Sequence, residues 1–132
     1  MPHIYLTEKI MAVTQFMHAA ILVTDIEKSA FFYGKILGLP QVERNLKFPG
    51  IWYQIGNFQI HLITQDSLIG DEVDGEKWGR NRHLAFAVRN LEESKQLLLY
   101  HNYPIQMSAS GRPALFTKDP DHNIIELSQL AE

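Results

Sequence analysis

Cysteine is absent from the 132 residues, which excludes disulfides, thiolate metal sites and cysteine nucleophiles; any metal must be held by imidazole, carboxylate or carbonyl groups. Long apolar runs are absent too, with no stretch near the roughly 18 residues that a membrane-spanning helix requires. The first residues, MPHIYLTEKIMAVTQF, lack the basic-then-apolar order of a secretory signal, so a cytoplasmic protein is expected. An excess of positive charge is missing as well. A formal net charge of -3 gives no field for a phosphate backbone, which excludes nucleic acid as an expected partner and leaves a small molecule. What the chain has is a 45% hydrophobic composition, enough for one core, and six histidines.

An internal repeat organises those histidines. HAAILVTDIEKS at 18–29 lies over HLAFAVRNLEES at 83–94 at an offset of 83 − 18 = 65, and the same offset places His61 in FQIHLI on Glu126 in NIIELS, since 126 − 61 = 65. Two modules are implied, 16–63 and 82–129, joined by the polar connector 64–81 and preceded by an extension over 1–15, within a single domain over 16–132.

Each module opens on a short apolar run rich in strand formers. Asp25 or Asn90 then stands as an N-cap, and an apolar series at near-helical spacing follows until Gly38 and Pro40, or Asn102 and Pro104, stop it. Strands are predicted over 40–45, 50–55 and 58–63, and again over 104–108, 113–117 and 123–128. The fold class is therefore α+β: two tandem βαβββ modules whose strands form a cupped, barrel-like mixed sheet with helices outside.

Strand alternation puts His18 with Ala20 and Leu22, His83 with Ala85 and Ala87, His61 with Gln59 and Ile63, and Glu126 with Ile124 and Ser128. One histidine on an apolar strand is more often a hydrogen-bonded core residue than a ligand. Four candidates at matched repeat positions change that balance, because a buried glutamate without a cation carries a large desolvation cost. One divalent ion held by His18, His61, His83 and Glu126 is expected if the two sheets curl toward one another. His3, His101 and His122 have no repeat partners and no expected role.

These residues resemble the vicinal oxygen chelate superfamily of glyoxalases, bleomycin-resistance proteins and extradiol dioxygenases. The likeness rests on the histidine opening each module, on EKSAFFYGKILGLP and on the ending FTKDPDHNIIEL, and spans about Phe16 to Gln129. SGRPALFTKDPD and GRNRHLAFAV are most similar to glyoxalase I-like proteins, while His122 stands where glycine is usual. The resemblance implies a zinc, nickel, cobalt, iron or manganese ion at the four ligands and a lyase or isomerase acting on an oxygen-chelating substrate such as a glutathione hemithioacetal. Position 61 often carries a carboxylate in glyoxalase I and here is histidine, so the base is Glu126 or a metal-bound hydroxide.

Arg112, Arg82, Arg80, Trp52, Tyr53, Phe58 and Phe116 are candidate substrate contacts, and Phe31, Phe32 and Tyr33 are expected in the core. Two alternatives stand behind the lyase. An extradiol dioxygenase would use His18, His83 and Glu126 as its triad, but Phe116 occupies the place of that branch's tyrosine. A drug-binding protein would normally lack the metal ligands. Open sheets leave exposed edges, so a two-fold homodimer is expected, with the four ligands drawn from one chain or from both.

Overall fold

The computed structural model describes residues 8–45 and 47–131; residues 1–7 of the expected extension, with His3, lie outside them. The first module comprises β1 (His18–Val23), α1 (Ile26–Ala30), a wide π-helical turn (Phe31–Ile36), β2 (Gln41–Val42), β3 (Gly50–Ile55) and β4 (Phe58–Thr64). A 3-10 turn (Trp78–Arg80) precedes the second, which comprises β5 (His83–Val88), α2 (Leu91–Tyr100), β6 (Ile105–Met107), β7 (Ala114–Lys118) and β8 (Ile124–Gln129). Among the described residues no helix is long and apolar enough to cross a membrane.

Both helices start where the side chains dictate. Asp25 accepts from the Lys28 amide and Asn90 from the Glu93 amide, each at 3.0 Å, satisfying one of the free N–H groups of a first turn. The first helix departs from its regular expectation. From Phe31 it widens, and Leu37 N–H bonds Phe32 C=O five residues back at 2.9 Å. The wider turn aims both Phe32 and Tyr33 into the core, while Phe31 stays 42% exposed, contrary to its expected burial.

The fold is α+β, two tandem βαβββ modules, each a four-stranded sheet in the order β1-β4-β3-β2 or β5-β8-β7-β6. The repeat is visible in the register: β1 runs parallel to β4 with Ala20 opposite His61, and β5 parallel to β8 with Ala85 opposite Glu126. The two sheets remain separate and do not close on each other, and β1 and β5 each stand at an edge.

The modules share one core built from their helix-covered faces, including Ile21, Val23, Phe32, Ile60, Leu98 and Leu127. Contacts between distant residues lock this arrangement. Phe32 meets Tyr103 edge to face at 5.0 Å, and Tyr33 donates its hydroxyl to the buried Asp119 carboxylate at 2.7 Å. Asp119 also accepts from the Asp121 and Asn123 amides and the Asn123 side chain, yet burial still raises its pKa. Thr24 bonds Asp121 through both its amide and its hydroxyl, fixing the end of β1 on the β7–β8 turn. His122 in that turn adopts φ 68°, the left-handed conformation that glycine would favour.

Candidate metal-binding half-sites

Because the helix-covered faces are buried together, the opposite faces of the sheets are left open. His18, Ala20 and Leu22 are exposed along β1, as are His83, Ala85 and Ala87 along β5. The four expected ligands lie on these open faces as two pairs, one on each sheet. Among the described residues no three histidine or carboxylate side chains converge within one chain as ligands to a metal. The expected curling of the two sheets around a single ion is therefore not what this chain does alone, since each sheet has turned its helix side, not its ligand side, toward the other.

In the second pair, His83 Nδ1 lies 2.7 Å from the Asn81 carbonyl oxygen. A carbonyl only accepts, so Nδ1 donates its proton there and Nε2 is the ring nitrogen left for another partner. Glu126 Oε1 faces that atom at 3.4 Å. Its other oxygen accepts from the Ser128 hydroxyl at 2.9 Å and has the Arg112 guanidinium at 3.7 Å. An imidazole nitrogen and a carboxylate oxygen, both atom types that ligate divalent ions, thus face each other. Bonds of roughly 2.1 Å to one ion at tetrahedral or octahedral angles put neighbouring donors about 3.0 to 3.4 Å apart, so the spacing fits a shared cation. Phe116, buried, sits edge-on to His83 at 5.5 Å.

The first pair is a stack. The His18 and His61 rings lie parallel, centroids 4.0 Å apart, and Trp52 lies on the other side of His61 at 4.1 Å. Register explains the stack, because Trp52 is directly opposite His61 and therefore on the same face. His61 Nε2 bonds Gln59 Oε1 at 2.7 Å, and Gln59 in turn receives its position from Gln54. Partial burial, then the charges of His18 and Arg44, lower the His61 pKa and keep the ring neutral, the form that binds a metal. Imidazoles and a carboxylate are suitable donors for a divalent transition ion, and each pair holds two of the four candidate ligands.

The expected substrate contacts divide. Trp52 and Phe116 touch the histidines, and Arg112 approaches Glu126. Arg82 is largely exposed, 3.6 Å from Asp71, and borders a cleft of about 630 Å³ between β1 and β5 that His83 also lines. Arg80 is exposed at the end of the 3-10 turn. Tyr53 is 1% exposed and belongs to the core, and Phe58 packs on Phe16 at 4.7 Å, so neither faces a ligand. Sequence reading passed over Asn81, whose side chain also fastens the connector by accepting from the Val73 and Asp74 amides. It also passed over Gln59 and Arg44. Strand alternation already placed Gln59 on the His61 face, whereas nothing local marked Asn81.

The profile of the Glyoxalase/Bleomycin resistance protein/Dioxygenase superfamily matches residues 15–127. Human mitochondrial methylmalonyl-CoA epimerase (Homo sapiens) is 29% identical, over 85% of this chain and 72% of that protein. Two solved structures share the fold. A glyoxalase/dioxygenase from Nostoc punctiforme has a TM-score of 0.73 at 21% identity, covering 94% of this chain and 100% of its own. A glyoxalase family protein from Bacillus anthracis has a TM-score of 0.70 at 22% identity, covering 90% of this chain and 97% of its own.

Proposed function

The chain belongs to the Glyoxalase/Bleomycin resistance protein/Dioxygenase superfamily, and from that premise we propose that it is a metal-dependent enzyme that moves a proton at a carbon beside a carbonyl group. The observation that carries this reading is the approach of His83 Nε2 and Glu126 Oε1, two atoms able to ligate one ion, to 3.4 Å on an open sheet face. In the working form, His18 and His61 of one copy meet His83 and Glu126 of a second across a two-fold axis, giving two sites per homodimer. A divalent ion held there by His18, His61, His83 and Glu126 would supply Lewis acidity toward the substrate's carbonyl oxygens.

Glu126 is the general base. It takes the proton from the carbon, the electron pair moves onto the carbonyl oxygen, and the same carboxyl returns the proton. Ser128 and Arg112 hold its second oxygen and so orient the carboxyl group. Return to the adjacent carbon is the glyoxalase I outcome, for which a glutathione hemithioacetal is the first substrate to test. Delivery of a proton instead to the opposite face of the same carbon, by an acid across the enolate from Glu126, is an epimerisation. The similarity to a methylmalonyl-CoA epimerase favours that as the second reading, on the same base. In either case the enzyme works in the cytoplasm on a small molecule.

Metal analysis of the purified protein, with turnover of methylglyoxal plus glutathione across nickel, cobalt, zinc, iron and manganese, tests the first reading. Deuterium uptake from heavy water at the α-carbon of a branched malonyl thioester tests the second. No proton exchange with either substrate, together with oxygen uptake on catechols, would sink the proposal and move the chain to ring cleavage.

A further inference from the structure

Arg44 lies across the sheet from the first histidine pair. In the β2–β3 register Val42 is opposite Trp52, and Arg44, two residues on, extends the same face. Its guanidinium sits 4.9 Å from the Phe48 ring and 6.0 Å from the Trp52 ring, so cation, indole and two imidazoles form one continuous row, Arg44–Trp52–His61–His18. A Cβ built on Gly50 would fall 3.3 Å from Arg44 Nη2 and 2.4 Å from the Leu62 carbonyl oxygen, so glycine there leaves the guanidinium its place.

Among the described residues this cation has no counter-charge. None of the ion pairs among the described residues includes it, and its Nε and Nη2 are buried with no hydrogen-bond partner. Burying charge and donors in this way is costly unless a ligand completes them. The two orphaned nitrogens are on the same edge of the guanidinium, the edge that receives both oxygens of one carboxylate in a fork.

We propose that Arg44, clasped by Phe48 and Trp52, is the receptor for a free carboxylate of the substrate beside the His18–His61 pair. The proposal rests on reading that pair as half of the metal site. It sets specificity: the substrate carries a carboxylate in addition to the oxygens it presents to the ion. Phe48, 48% exposed, is the solvent-facing wall of this clasp.

Propionate, a monocarboxylate that chelates poorly, is the probe. In a Trp78→Phe background its titration is followed by Trp52 fluorescence, with and without a chelator, in the protein and in Arg44→Gln and Arg44→Lys. Saturable quenching should weaken about ten-fold or more in Arg44→Gln, as loss of a charge-assisted bond implies. Arg44→Lys should fall in between, keeping charge and losing the fork. Melting temperature should hold or rise in Arg44→Gln, because an unpaired buried charge is removed. Equal propionate affinity in Arg44→Gln, absence of saturable binding, or tighter binding of inorganic phosphate than of propionate would overturn the assignment. Propionate binding needs no metal, so its failure is separable from failure of the metal site, which is read by metal content alone.

Discussion

His83 Nε2 and Glu126 Oε1 face each other across 3.4 Å, while His83 Nδ1 on the other side of the ring donates to the Asn81 carbonyl. That relationship makes Glu126→Gln the most informative substitution. Volume and one carbonyl oxygen survive, but the charge and the proton-accepting ability do not. Folding should be retained, metal affinity should fall about 10- to 100-fold, and turnover at saturating metal should fall on the order of 100- to 10,000-fold. Metal titration beside single-turnover rates checks both. Restoration of most of the rate by saturating metal would assign the base to a hydroxide instead.

Separation of the ligand pairs within a chain leads to a complementation test. His18→Ala and Glu126→Ala should each be inactive alone. Mixed and allowed to exchange subunits, half the dimers are heterodimers, each with one intact and one doubly damaged site, so about a quarter of the original activity should return. An inactive mixture, with heterodimers confirmed by mass spectrometry, would place all four ligands in one chain.

The lowered pKa of His61, caused first by burial and then by His18 and Arg44, gives a pH dependence of stability in the metal-free protein. A ring whose folded pKa lies below its unfolded value of about 6.5 is neutral when folded and charges more readily when unfolded. Its contribution is therefore fully present above the unfolded pKa and is lost as pH falls below it toward the lower folded value. Melting curves between pH 7.5 and 5 should show a shallower decline in His61→Gln than in the parent protein; identical slopes would contradict the shift.

Gly79 controls the shape of the second half-site. A Cβ added there would fall 2.6 Å from the tip of the Phe116 ring, and Phe116 is the aromatic that flanks His83. Gly79→Ala should therefore cost about 1–3 kcal/mol in stability, as overpacking does, and weaken metal binding by displacing His83. Urea denaturation and metal titration measure the two effects, and an unchanged metal affinity would detach the 3-10 turn from the site.

How much of this was legible in the sequence follows from distance along the chain. The β1–β4 and β5–β8 registers, Ala20 opposite His61 and Ala85 opposite Glu126, repeat the 65-residue offset read from HAAILV and HLAFAV. Strand alternation, the Asp25 and Asn90 caps and the left-handed turn at His122 are local matters, decided by residues within a few positions of one another. Local pattern could not say which faces of the modules meet. Tyr33 with Asp119, Phe32 with Tyr103 and Thr24 with Asp121 are separated by 71 to 97 residues, and these pairs turn the helix sides inward and leave the candidate ligands open on opposite sheets. The sequence by itself determined the two modules and the ligand-bearing face of each strand, because periodicity encodes both. Only the tertiary structure decided that the four candidate ligands become two pairs and that Arg44, among the described residues, stands unpaired beside one of them, because packing between distant surfaces leaves no periodic trace in the chain.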